Sequence, residues 1–377
     1  MKTELNSRER VLSFFRKEDV DSLPVFSGMG NVTVHGLEKY GWKFADIHVD
    51  AHKMATMAAS TFQIFDFECA VVPFDMGVET EALGAGVNFY STHTDVVYPT
   101  ISRKVAEKVE DLDIRVPSDL AKAGRIPLVT EAIRILKKEV DDQAAIGAWV
   151  LGPYTLAGQI VDIGDLAKMA FKKTDMVHEV LDTLAGMLIE ISKIYRKAGA
   201  DYITIREMGA GPDILSPRMF KILIRPHLEK ILAAIESPKI LHICGSTDSI
   251  IDQMALCRAD ALSVDQKNNV AESRKKLGNE ILLLGNFDPY GILVQMDSSE
   301  VEQVIKKCID DGVDAVWPGC DLWPEVKKEN LKALMAAAQK YGKLGWPLFL
   351  WREIMGLINR IFSIFRGTLD GKIGLTT

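Results

Sequence analysis

Short apolar runs rich in β-favouring residues alternate along the chain with amphipathic stretches of helical period. The apolar runs fall at residues 23–26, 69–72, 145–150, 202–205, 240–243, 261–264, 281–284 and 315–317, each closed by a turn-forming or polar residue. Helical patterns separate most of them, at 126–139, 176–197, 218–235, 299–311 and 329–341. Strands alternating with helices predict a parallel sheet. Eight such units predict a closed (β/α)8 barrel of the TIM type, an α/β fold, with an open doubly wound sheet as the alternative.

Three segments lie outside this repeat. Residues 6–17 predict an opening helix, capped by Asn6 with Glu9 three positions on, as in a capping box. Residues 76–101 hold Val87, Phe89, Tyr90, Val96, Val97 and Tyr98 and predict a hairpin insertion after the second strand, suited to part of a lid. Residues 346–365 are strongly apolar and predict an appended amphipathic helix, with Leu350, Ile354, Leu357, Ile358, Ile361 and Phe365 on one face. The division is a barrel domain at 1–345 and a tail at 346–377. Arg352, Glu353 and Arg360 inside that tail argue against an ordinary membrane-spanning helix. A helix packed on the barrel or on a second copy is the first reading, and a helix lying at a membrane surface is the second.

Composition narrows the function. With 47% hydrophobic and 26% charged residues the chain is an ordinary globular protein, and its net charge of −7 gives no basic face for nucleic acid. The polar amino terminus has no export signal, so the expected location is cytoplasmic, peripheral to a membrane only through the tail. Five cysteines form no dense framework, and in a reducing compartment they are thiols or metal ligands. No G-x-G-x-x-G follows the first strand and no G-x-x-x-x-G-K-[ST] occurs, which removes dinucleotide and P-loop readings.

The fifth strand ends in LHICGS, and the two-residue spacing of His242 and Cys244 points both side chains to one face. The eighth ends in WPGCDLW, which brings Cys320 to the same carboxyl-terminal rim, where barrel enzymes carry their active sites. One imidazole and two thiolates suit zinc, and three protein ligands leave the exchangeable fourth position of a catalytic site. Cys69, Cys257 and Cys308 sit in apolar patterns and are read as packing residues.

The opening NSRERVLSFFRKEDVDSLPV, LGPYTLAG after the third strand, LHICGS, LLLGNFDP and PGC together resemble the uroporphyrinogen decarboxylase superfamily, and within it the methylcobamide:coenzyme M methyltransferases. The resemblance runs from about Asn6 to Gly342. Decarboxylases of the superfamily carry an arginine-rich R-Q-A-G-R motif near the first strand to grip substrate carboxylates, whereas this chain has FSGMGNVTVHG at 26–36 without an arginine. Decarboxylase activity is therefore disfavoured.

The resemblance implies zinc-dependent transfer of a methyl group from a methylated corrinoid protein to a thiol, most simply coenzyme M in methanogenic one-carbon metabolism. Zinc would hold the substrate thiol as its thiolate. The corrinoid signature D-x-H-x-x-G is absent, so the methylcobamide would come on a separate partner. A different thiol or a folate as acceptor stays open, as does a non-catalytic corrinoid-protein-binding module with structural zinc. Asp265 is the first candidate for a displaceable fourth ligand and Glu207 the second, each with a helix-capping or ion-paired alternative. Asn286, Asp288, Asp75, Glu79 and Tyr154 are candidate pocket residues, with turn formation favoured for Asp288 and packing equally open for Tyr154. Arg206 can pair with an acidic substrate group such as a sulfonate.

Overall fold

The computed structural model describes residues 5–343. Seven parallel strands form one sheet in the order β1 (Cys69–Val72), β4 (Ala145–Leu151), β5 (Tyr202–Arg206), β6 (Lys239–Ile243), β7 (Ala261–Val264), β8 (Leu282–Phe287) and β9 (Ala315–Pro318). The outstanding place between β9 and β1 is filled by residues 23–26. There Val25 makes a parallel bridge to Val316, Phe26 N donates to Val316 O, and Glu68 N donates to Val25 O at 3.0 Å. Pro24 has no N–H for a ladder, so this eighth segment pairs through isolated bonds rather than as a full strand. The sheet thus curls into the TIM-type (β/α)8 fold anticipated above.

The opening helix Ser7–Phe15 has the Asn6–Glu9 capping box, with both reciprocal bonds formed. The helical patterns become Ile126–Glu139, Thr174–Ala198, Ser298–Asp310 and Lys328–Tyr341. The pattern at 218–235 is broken into Pro217–Met219, a π turn at Phe220–Ile224 and Arg225–Ala234, as expected where Pro226 has no N–H to give. The insertion contains the predicted hairpin, with β2 (Gly86–Asn88) antiparallel to β3 (Thr100–Arg103). Val96, Val97 and Tyr98 fall in its connecting loop rather than in its second strand. The predicted tail at 346–377 lies outside the described residues. Among the described residues no helix is long and apolar enough to cross a membrane.

Alternation along β5 turns Tyr202, Thr204 and Arg206 to one face. Phe26, Tyr202 and Trp317 fill the lumen, with Phe26 and Trp317 edge to face at 4.8 Å between centroids. Side chains thus plug the barrel beneath its carboxyl-terminal mouth.

Candidate metal centre at the barrel mouth

Register builds the site. Arg206, His242 and Ser263 are consecutive Cα partners across β5, β6 and β7, so their side chains share one row. Cys244 follows two residues after His242 and points the same way. Cys320 is off the period set by Trp317, and a bend at Gly319–Cys320 swings it back toward the cluster. Another turn follows Cys244: Gly245 has φ +88°, and its N–H donates to Asp265 Oδ2 at 3.0 Å.

The three predicted ligands meet. His242 Nε2 lies 2.9 Å from Cys244 Sγ, and Cys244 Sγ lies 3.7 Å from Cys320 Sγ. His242 Nδ1 is 2.8 Å from Ser263 Oγ. With Nδ1–H donating to that hydroxyl, Nε2 turns its lone pair toward the thiols. The bond between the cysteines divides their charge, holding the Cys320 thiol down to about 5 while pushing Cys244 well above its ordinary value.

The sulfur–sulfur distance matches the edge of a tetrahedron on zinc–sulfur bonds of about 2.3 Å. The nitrogen–sulfur contact is shorter than the corresponding edge by roughly 0.7 Å, as suits a hydrogen bond. Accordingly, no group of three or more His, Cys, Asp or Glu side chains among the described residues is spaced to enclose an ion as it stands. The donor set, the sulfur–sulfur edge and the hydroxyl behind the ring nevertheless fit zinc, given a small parting of His242 and Cys244.

Neither carboxylate singled out as a fourth ligand is free. Asp265 accepts from Gly245 N and, at 2.9 Å, from Lys267 N, which shapes the rim turn. Glu207 is fully buried and caps the helix Pro153–Ile160, accepting from Tyr154 N at 2.9 Å, Thr155 N at 2.7 Å and Thr155 Oγ1 at 2.5 Å. Burial pushes its carboxyl up to about 7 against the pull of those three bonds. Glu207 thus caps a helix from outside it, and Asp265 shapes a rim turn.

The other candidates separate into two groups. Asp288 accepts from the N–H groups of Tyr290 and Gly291, each at 3.0 Å, and forms the turn favoured for it. Asn286 Nδ2 donates to the carbonyls of Asp265 and Asn268 and ties rim loops together. Tyr154 is buried with its hydroxyl unpartnered, and burial pushes that phenol up to about 12. Asp75 lies in a second buried cluster: Arg125 grips it with two bonds of 2.8 Å, and His48 Nδ1 sits 2.8 Å from Oδ2. Glu79 is buried beside that cluster, one oxygen accepting from Leu151 N and the other without a partner.

Sequence reasoning missed four neighbours of the site. Ser263 backs His242, Asp321 pairs with Arg206 at 2.5 Å, and Trp149 lies under the Arg206 guanidinium at 4.6 Å. Tyr98, from the hairpin loop, packs on Phe44 and feels the charges of Asp321 and Arg206. Asp321, next to Cys320, and Tyr98, in the predicted hairpin insertion, had sequence positions that could have flagged them.

The arginine-free segment at 26–36 is tightly packed. A Cβ on Gly28 would lie 1.9 Å from Thr204 Oγ1 and 2.7 Å from Trp317, so no cationic side chain fits there. Ser27, Asn31 and Thr33 are fully buried.

Barrel and rim together define a catalytic TIM-type protein with a thiol–imidazole centre, and the family profile for uroporphyrinogen decarboxylase (URO-D) matches residues 6–341. The chain belongs to that family. Among curated relatives, the methylcobamide:CoM methyltransferase MtaA of Methanosarcina barkeri (strain Fusaro / DSM 804) is 31% identical over 340 residues, 90% of this chain and 99% of the relative. MtbA of Methanosarcina acetivorans, also a methylcobamide:CoM methyltransferase, is 28% identical over 342 residues, 90% of this chain and 99% of its own length. A solved methyltransferase from Methanosarcina mazei superposes with a TM-score of 0.84 at 29% identity, covering 90% of this chain and 99% of the neighbour. The methyltransferase branch read from the motifs is thus borne out.

Proposed function

We propose that this protein transfers a methyl group from a methylated corrinoid, carried by a partner protein, to a small thiol at a zinc ion held by His242, Cys244 and Cys320, with coenzyme M the preferred acceptor. The observation that carries this reading is the convergence of the three side chains at the mouth of a plugged barrel. Bound there, zinc would supply a substrate thiolate at neutral pH without a separate general base.

The chain's own residues supply orientation and electrostatics. Ser263 holds the His242 ring. Arg206 is buried at the same rim and pairs with Asp321 beside Cys320. Phe26, Tyr202 and Trp317 seal the floor, so methyl donor and acceptor both enter from the mouth. The acceptor sulfur forms its bond to the methyl carbon as the cobalt–carbon bond breaks, and the electron pair stays with cobalt as cobalt(I).

Purified protein incubated with methylcobalamin and coenzyme M tests the proposal through the visible spectrum of cobalt(I), alongside zinc analysis. The expected result is stoichiometric zinc and thiol-dependent cobalt(I), both lost in Cys244→Ala and Cys320→Ala. Full activity in either variant, or no methylation of any thiol, would overturn it.

A further inference from the structure

Arg125 is buried and ties several segments of the rim together. Two bonds of 2.8 Å go to Asp75, one of 2.7 Å to Glu81 Oε2 and one of 3.2 Å to the His48 carbonyl. Its guanidinium also lies 4.6 Å from the ring of Phe89, immediately after β2 of the hairpin. Burial opposes the charge of Asp75, but the bonds from Arg125 and His48 outweigh it and hold that carboxyl well below the ordinary range. Removing either partner of such a pair would strand a buried charge, so the cluster resists opening.

The hairpin rests on this cluster from two sides. On the β2 side, a Cβ on Gly77 would lie 2.9 Å from Asp75 Oδ1, 3.0 Å from Arg125 Nη2 and 3.2 Å from Val87 Cγ2, so Val87 sits directly on the ion pair. On the loop side, Tyr98 packs edge to face on Phe44 at 4.8 Å, and Phe44 packs edge to face on His48 at 4.9 Å. His48 Nδ1 in turn lies 2.8 Å from Asp75 Oδ2. Tyr98 is half-buried. Burial pushes its phenol up, the charges of Asp321, Glu325 and Cys320 add to that, and Arg206 opposes them, which sets the ring beside the rim that carries Cys320.

We propose that Tyr98 covers the thiol centre from the hairpin, and that Arg125 and Phe89 are positioning residues that hold the cover in place. This rests on the thiol-methylating reading above and supplies what shields its nucleophile. A thiolate exposed to bulk water keeps a hydration shell that must be shed before it attacks carbon, and closing the site replaces that shell with fixed protein groups. The aromatic ring excludes the water, and its hydroxyl is not needed for that. Asp75, expected at the pocket, thus acts at one remove from the chemistry.

Reaction of the full chain with the aromatic disulfide dithiobis(nitrobenzoate), after zinc removal with a chelator, tests the cover without methyl transfer. Cys69, Cys257 and Cys308 are buried, so the fast phase reads Cys244 and Cys320. Tyr98→Ala is expected to speed that phase about tenfold, and Tyr98→Phe to leave it unchanged. Phe89→Ala and Arg125→Lys should speed it through a loosened hairpin, with Phe89→Ala carrying the test if the buried lysine prevents folding. Phe89→Ala combined with Tyr98→Ala should react no faster than Tyr98→Ala alone, because both act through one ring. An unchanged rate in Tyr98→Ala, or effects of Phe89→Ala and Tyr98→Ala that add in full, overturns the proposal.

The methyl-transfer assay separates the two readings. Tyr98→Ala should lower kcat about tenfold while KM for the thiol stays within about twofold, and Tyr98→Phe should retain the original kcat. An unaltered kcat in Tyr98→Ala overturns the cover as well. Shielded cysteines in a protein that methylates no thiol keep the cover and refute the methyltransferase. Methyl transfer by a protein whose cysteines react equally fast with and without the Tyr98 ring does the reverse.

Discussion

Glu207→Gln distinguishes a structural cap from a zinc ligand. The carboxylate accepts three bonds, from Tyr154 N, Thr155 N and Thr155 Oγ1, inside a fully buried site. A glutamine offers one carbonyl oxygen to the Thr155 donors and turns its NH2 toward Tyr154 N, which is itself a donor. Leaving a buried donor unsatisfied and replacing a charged acceptor costs about 2–4 kcal/mol. Unfolding entropy near 2.1 cal/mol/K per residue over roughly 340 residues converts this into a Tm fall of about 3–6 °C. The measurement belongs at pH 8, where a carboxyl pushed up to about 7 is ionised. Thermal unfolding would be paired with zinc competition against a chromophoric chelator. The expected outcome is the lower Tm with zinc affinity unchanged within twofold. An unaltered Tm with zinc affinity reduced about 10–100-fold, the scale on which disturbed metal shells respond, would refute the capping assignment.

Two further outcomes follow from the same geometry. Burial pushes Glu79 up to about 7 from its ordinary 4.5; a raised carboxyl stabilises the fold below pH 4.5, and that contribution fades as pH rises through 7. The Tm of Glu79→Gln relative to the unaltered protein should therefore climb between pH 5 and pH 8, by about 4 °C for a shift worth roughly 3 kcal/mol, and a difference that stays flat with pH would contradict the assignment. Ser263→Ala removes the hydroxyl behind His242 and should weaken zinc binding about 10–100-fold with little change in Tm; full affinity in the same chelator competition would show that the ring is held by other contacts.

The sequence was most legible where local chemistry decides structure. The Asn6–Glu9 capping box formed as read, and the strand positions followed from short apolar runs between turns. Residues 23–26 joined the sheet with sparse bonding because Pro24 cannot donate. The two-residue spacing of His242 and Cys244 survived folding because it depends only on strand alternation. The placement of Cys320 needed a bend that the strand period does not contain. The hydrogen-bond partners of Glu207 and Asp265 were legible only in part. The partners of Glu207 lie 52 and 53 residues away and Gly245 lies 20 residues from Asp265, whereas the bond from Lys267 N to Asp265 is local. Ser263, Trp149 and the Arg206–Asp321 pair depend on register between separate strands and loops, which a single chain's periodicity leaves open.

Zinc K-edge absorption fine structure, recorded on the protein before and after addition of 2-mercaptoethanesulfonate, tests the central claim most directly. The account predicts one histidine nitrogen and two sulfur neighbours from the protein at about 2.0 and 2.3 Å, with a third sulfur appearing when the thiol is added. A protein that retains no zinc, or a sulfur shell that stays at two in the presence of thiol, would contradict it.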